Sequence, residues 1–118
     1  MPRRDHRLLV ADMLEAAERI QNYIEGYSRA EFEGDQRTVD AVVRNLEILA
    51  EAANALPASI QELAAEIDWC GVIGLRNRLI HEYFGVSTAI VWTLAIREIP
   101  RLIPRLIPRL RALSDQLC

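Results

Sequence analysis

Arg76, His81 and Tyr83 lie within eight residues of one another and are of types that can do chemistry together. A histidine titrates near neutral pH, so it can accept or donate a proton during a reaction. An arginine offers a planar fork of N–H groups that matches two oxygens of a phosphate. A tyrosine brings a hydroxyl on an apolar ring, which can either close a helix end or stand exposed as a nucleophile. The combination suits proton transfer beside a phosphate group. No metal is called for. Cys70 and Cys118 lie far apart in no Cys-x-x-Cys spacing, so both are expected to be free thiols.

These residues fall on an expected helix that starts at Trp69, is capped by Asp68 and stops at Gly85. Along it Trp69, Val72, Ile73, Leu79, Ile80 and Tyr83 trace an apolar stripe, and Arg76 falls in the middle of that stripe. A guanidinium buried without a partner is costly, so Arg76 must meet an acid, a groove or a ligand. On an ideal helix positions 76 and 81 lie about 140° apart, while 76 and 83 lie nearly in line. Either the helix loosens before His81, or the site is shared between chains. One chain supplies one histidine to this segment, whereas acid–base chemistry wants two proton-transfer groups. The expectation is therefore a twofold homodimer with a composite groove at its interface.

The elements that must position this helix can be read from periodicity and punctuation. A first helix from Arg4 towards Tyr27 carries Leu9, Met13, Ala16, Ile20, Tyr23 and Tyr27 at helical spacing, and Gly26 is placed to end it. Ser28 and Glu31 form a capping box for a short turn that Gly34 closes. Asp35 caps a second long helix with a stripe of Val39, Val42, Val43, Leu46, Leu49, Ala53 and Leu56, ended by Pro57. Asp40, Arg44, Glu47, Glu51 and Asn54 make a polar row on that helix, either a solvated face or the border of the functional groove. A short Pro-initiated helix with Ile60, Leu63 and Ile67 follows. The last helix, capped by Ser87, carries Ile90, Val91, Leu94, Ile99, Ile103, Leu106, Leu110 and Leu113. Its Ile-Pro-Arg-Leu repeat places prolines at 100, 104 and 108, so it should bend or restart near Pro100. Arg97, Arg101, Arg105 and Arg109 share a four-residue spacing, either a solvated ridge or a row of phosphate contacts.

The expected fold is all-α, a compact antiparallel bundle of four to five helices, with residues 1–118 forming a single domain. Half of the 118 residues are apolar (51%) and no stretch approaches the roughly 18 needed to span a membrane, so a cytoplasmic protein without membrane contact is expected. The net charge of -3 conceals an asymmetry: residues 1–70 hold seven Arg against fourteen acids, and the remainder seven Arg against three. An anionic partner would meet the C-terminal half.

The segment Arg76-Asn77-Arg78-Leu79-Ile80-His81-Glu82-Tyr83 resembles the Arg, four residues, His, one residue, Tyr motif of HepT-like toxins in the HEPN superfamily. Asp68-Trp69, Ile73-Gly74-Leu75 and Phe84-Gly85-Val86 around it are also similar, as are Arg44-Asn45-Leu46-Glu47, Glu51-Ala52-Ala53 and Asp12-Met13-Leu14-Glu15-Ala16. The Pro-Arg-Leu-Ile repeat is a departure from that pattern. The resemblance implies a dimeric helical toxin that cuts RNA without a metal or other cofactor and is paired with a nucleotidyltransferase antitoxin able to transfer AMP to Tyr83. Arg76 and His81 would be catalytic, with Asn77 orienting phosphate or His81. Arg78, Arg44 and Glu47 would contact RNA or support the site. The rival is a non-catalytic HEPN module that binds a nucleotidyltransferase partner or nucleotide through the same segment.

Overall fold

Side-chain caps set where the first helices begin. In the computed structural model, which describes residues 5–82 and 88–117, Asp5 accepts from the backbone N–H of Arg7 (2.8 Å) and opens α1, His6–Ile24. Gly26, with φ of 77°, takes the left-handed conformation that lets the chain leave α1. Ser28 and Glu31 exchange hydrogen bonds with each other's backbone N–H (3.1 and 3.2 Å), the expected capping box, at the head of α2, Arg29–Glu33. Asp35 caps α3, Gln36–Ala55, and its second carboxylate oxygen accepts from the hydroxyls of Tyr27 and Thr38, both at 2.7 Å. These bonds hold the Asp35 carboxyl below its ordinary value, the Tyr27 hydroxyl contributing most.

The core forms where α1 lies along α3, with α7 (Ile99–Leu117) against α1 and α5 (Trp69–Glu82) against α3. All seven residues of the expected α3 stripe, from Val39 to Leu56, are buried. Met13, Ala17 and Ile20 of α1 are fully covered, and the alanines at 16, 17, 50, 52 and 53 let the two backbones approach closely. Burying each larger aliphatic side chain here is worth about 1.5–3 kcal/mol relative to exposure. Tyr23, expected in the α1 stripe, is 38% exposed, because the buried line runs Val10, Met13, Ala17, Ile20 and Ile24 and leaves Tyr23 at its margin. Phe32 of α2 fills the core and meets Trp92 at 5.3 Å between ring centroids, tying α2 to α6, Thr88–Thr93.

After Pro57, α4 spans Ala58–Glu62 and the chain then tightens into successive i→i+3 turns, at Leu63, Ala64 and Ile67. That three-residue period puts Ala64 and Ile67 in the core and turns Leu63 outward, 46% exposed, against the expectation that it would be buried. The last long segment also departs from a plain α-helix. Between α6 and α7 a π-type turn covers Leu94–Glu98, closed by the Ile99 N–H on the Leu94 carbonyl. This widening ends just before Pro100, where an α register would drive the proline ring against the Ile96 carbonyl. The restart expected near Pro100 is thus a change of helix type, and α7 continues through Pro104 and Pro108. Ile90, expected in the buried stripe of this segment, is 40% exposed because the short α6 buries Val91 instead. The expected stop at Gly85 and cap at Ser87, and the side chains of Arg109, Leu110 and Leu113, lie outside the described residues. No strand occurs among the described residues, and none of their helices is long and apolar enough to cross a membrane.

Candidate active site

The helix that carries the motif is anchored at its start. Asp68 accepts the Gly71 N–H (3.1 Å), as the expected cap should. The Trp69 indole donates to the Gln61 and Ala64 carbonyls at 2.9 and 3.0 Å, and the Gln61 amide donates to the Ala53 and Leu56 carbonyls at 3.1 and 3.2 Å. The beginning of α5 is thereby tied to the end of α3. The two helices pack on each other, and Leu75, just before the motif, shares a groove with Leu49 of α3.

From Trp69 to Glu82 the helix is continuous, so Arg76, Asn77, Arg78 and His81 share one rigid element and no loosening occurs before His81. On such a helix Asn77 and His81, four residues apart, share a face, while Arg76 belongs with Val72 and Ile73. Asn77 is exposed, and so is the free thiol of Cys70 two turns earlier on that face. Val72, Ile73 and Trp69 are only half-buried, and Leu75, absent from the expected stripe, is the one described side chain of α5 that enters the core. Tyr83 and the side chains of Arg76, Arg78 and His81 lie outside the described residues.

On α3, Arg44 and Glu47 pair with each other at 3.5 Å, and Asp40 accepts from Gln36 at 2.8 Å. The polar row is thus solvated, with local pairs. Beside the first half of α5 lies a groove of about 690 Å³, floored by Leu49, Val72, Leu75 and Leu102 and edged by Arg101 and Arg105. Its charges balance: Asp68 and Glu98 line it too, Arg101 lies 4.0 Å from Glu98, and Arg105 donates to the Glu66 carbonyl at 3.1 Å. The groove was not legible in the sequence because its walls come from α3, α5, α6 and α7. Among the described residues no three His, Cys, Asp or Glu side chains converge as metal ligands would.

The family described as "Ribonuclease HepT-like" matches residues 13–108, which takes in α3, the whole of α5 and most of α7. The chain belongs to the HepT-like ribonuclease family. A HepT-like relative in Thermococcus cleftensis, named as a probable ribonuclease HepT, is 35% identical over 100 residues, covering 85% of this chain and 91% of its own. A candidate RNase of Methanocaldococcus jannaschii is 35% identical over 85% of this chain and 83% of its own. Another, from Caldanaerobacter subterraneus subsp. tengcongensis, is 38% identical over 76% of this chain and 80% of its own. No solved structure matches the chain.

Proposed function

We propose that this HepT-like chain is the toxin of a toxin–antitoxin pair, an endoribonuclease that cuts RNA without a metal ion. The observation that carries the reading is the Arg76 to His81 motif on one unbroken helix, inside a family match whose relatives bear ribonuclease names. In the proposed reaction a base removes the proton of an RNA 2′-hydroxyl, whose oxygen attacks the adjacent phosphorus. The 5′-oxygen leaves with a proton from an acid, giving a 2′,3′-cyclic phosphate and a 5′-hydroxyl. His81 serves in proton transfer, Arg76 neutralises charge on the phosphorane, and Asn77, on the His81 face, orients imidazole or phosphate. Arg78, Arg44 and Glu47 support the RNA or the site.

Because the helix stays regular, one chain holds Arg76 and His81 on different sides of α5. A twofold dimer joining two such helices would bring both groups and a second histidine to one groove. The half-covered Trp69, Val72 and Ile73 are consistent with a further partner surface on this helix. In the same proposal a cytoplasmic nucleotidyltransferase antitoxin neutralises the toxin. The Tyr83 phenol oxygen attacks the α-phosphorus of ATP, pyrophosphate leaves, and the phenolic proton passes to a base. The added anion then repels RNA from the site.

The test is incubation of the purified chain with total RNA in excess chelator, beside His81→Ala, with analysis of the cut ends. Cyclic phosphate ends from the unmodified wild type alone are expected. Equal cutting by both proteins, or none by wild type with an unmodified Tyr83, would sink the ribonuclease reading. Loss of cutting with gain of one adenylyl group, after incubation with ATP and the nucleotidyltransferase encoded beside the toxin, tests the regulatory half.

A further inference from the structure

Asn45 is a buried polar residue, 5% exposed, set among the aliphatic side chains of α3. Its Nδ2 donates to the Ala41 carbonyl at 2.9 Å. A carbonyl can only accept, so this bond fixes which way the amide points. Ala41 is also the helical partner of the Asn45 backbone N–H, so the side-chain bond serves a group already satisfied. The Oδ1 atom is buried with no hydrogen-bond donor, the one such side-chain atom found among the described residues. A buried acceptor left alone destabilises the fold, and an apolar residue of similar shape would not. A local rule broken in this way calls for a reason, and functional sites are one place where such breaks occur.

The position of Asn45 supplies a reason for keeping it. It lies one turn of α3 before Leu49, and Leu49 lines one groove with Leu75, the residue of α5 just before Arg76. The Arg76–His81 segment has the complementary problem. In the sequence Arg76 falls among the apolar positions of α5, where a guanidinium needs an acceptor. We propose that Asn45 is a positioning residue of the RNA-cleaving site, its buried carbonyl, without a donor in this structure, accepting from Arg76 in the RNA-bound state. The inference rests on the ribonuclease reading above. Arginine has five N–H donors, so one spent on Asn45 leaves a fork for the phosphate and removes the freedom to turn away from it.

The experiment measures kcat and KM on a defined RNA oligonucleotide, with melting temperatures, for the full chain and for Asn45→Leu, Asn45→Ala and Asn45→Asp. Asn45→Leu should melt no lower than wild type yet lose about ten- to a hundredfold in kcat, the worth of one hydrogen bond to a charged donor, with KM little changed. Asn45→Asp, which keeps an oxygen at that place, should recover part of the rate. In an Arg76→Lys background the further loss from Asn45→Leu should largely disappear, as expected of two groups acting as a unit. Wild-type kcat in Asn45→Leu overturns the proposal and leaves the ribonuclease reading standing. So does a loss in Asn45→Leu and Asn45→Ala that only follows the folded fraction. An inactive, unmodified wild type overturns that reading and this proposal with it.

Discussion

The two halves of this chain are built to different standards. From Asp5 to Leu56 each long helix starts on a side-chain cap, the α3 stripe is wholly buried, and acids outnumber arginines two to one. From Trp69 onward arginines outnumber acids, Trp69, Val72 and Ile73 of α5 are half-covered, and the last helical segment changes type before its first proline. Both halves share one core, to which α6 and α7 bring Val91, Ile99 and Leu106, but the described start of the motif helix contributes only Leu75 to it. Proteins that stabilise a scaffold in one place can leave another bare for a partner or substrate.

That contrast can be broken in several ways. The largest effect is expected from Arg76→Ala and His81→Ala, each lowering RNA cleavage by about 10²- to 10⁴-fold, with the melting temperature of His81→Ala near wild type. A melting temperature of His81→Ala that fell with activity would mean that His81 holds the fold together instead. The mirror experiment is Phe32→Ala, which empties a fully buried site and should cost about 3–5 kcal/mol in denaturant unfolding, with cleavage per folded molecule unchanged. Pro104→Ala should stabilise by about 1–2 kcal/mol, since an exposed proline inside a helix lacks the N–H that alanine restores. Asp35→Ala should cost about 1 kcal/mol through loss of the α3 cap. Finest is the pH dependence. The folded Asp35 carboxyl titrates below its unfolded value, so its contribution is present above the unfolded value and fades as pH falls through the folded one. An Asp35→Asn variant should show a shallower loss of stability in acid, read from melting curves between neutral pH and pH about 3.

What could be read from the sequence was local. Gly26, the Ser28–Glu31 box, Asp35 and Asp68 each act within a few residues of themselves, so their types and spacing were enough. The α3 stripe was legible because a long regular helix repeats one pattern. Leu63 was misplaced because a run of tighter turns changed the period, and Leu75 was missed because the side of α5 that packs on α3 is a tertiary choice. The motif was visible as residues, and the continuity of α5 through Glu82 came only with the structure. Asn45 was visible as part of a family-like run, but the loneliness of its carbonyl is a property of what surrounds it.

The indole of Trp69, clasped by two carbonyls at the foot of α5, also gives the molecule a built-in optical label. The chain has two tryptophans, and the other, Trp92, meets Phe32 at a tilt of 40° across the α2–α6 contact. Replacing Trp92 by Phe leaves all the indole emission at the base of the motif helix. Replacing Trp69 leaves it at the α2–α6 contact instead. The base of α5 and the α2–α6 contact can thus be watched separately in light, and the wavelength and intensity of Trp69 emission become a direct gauge of whether RNA or a partner chain reaches α5.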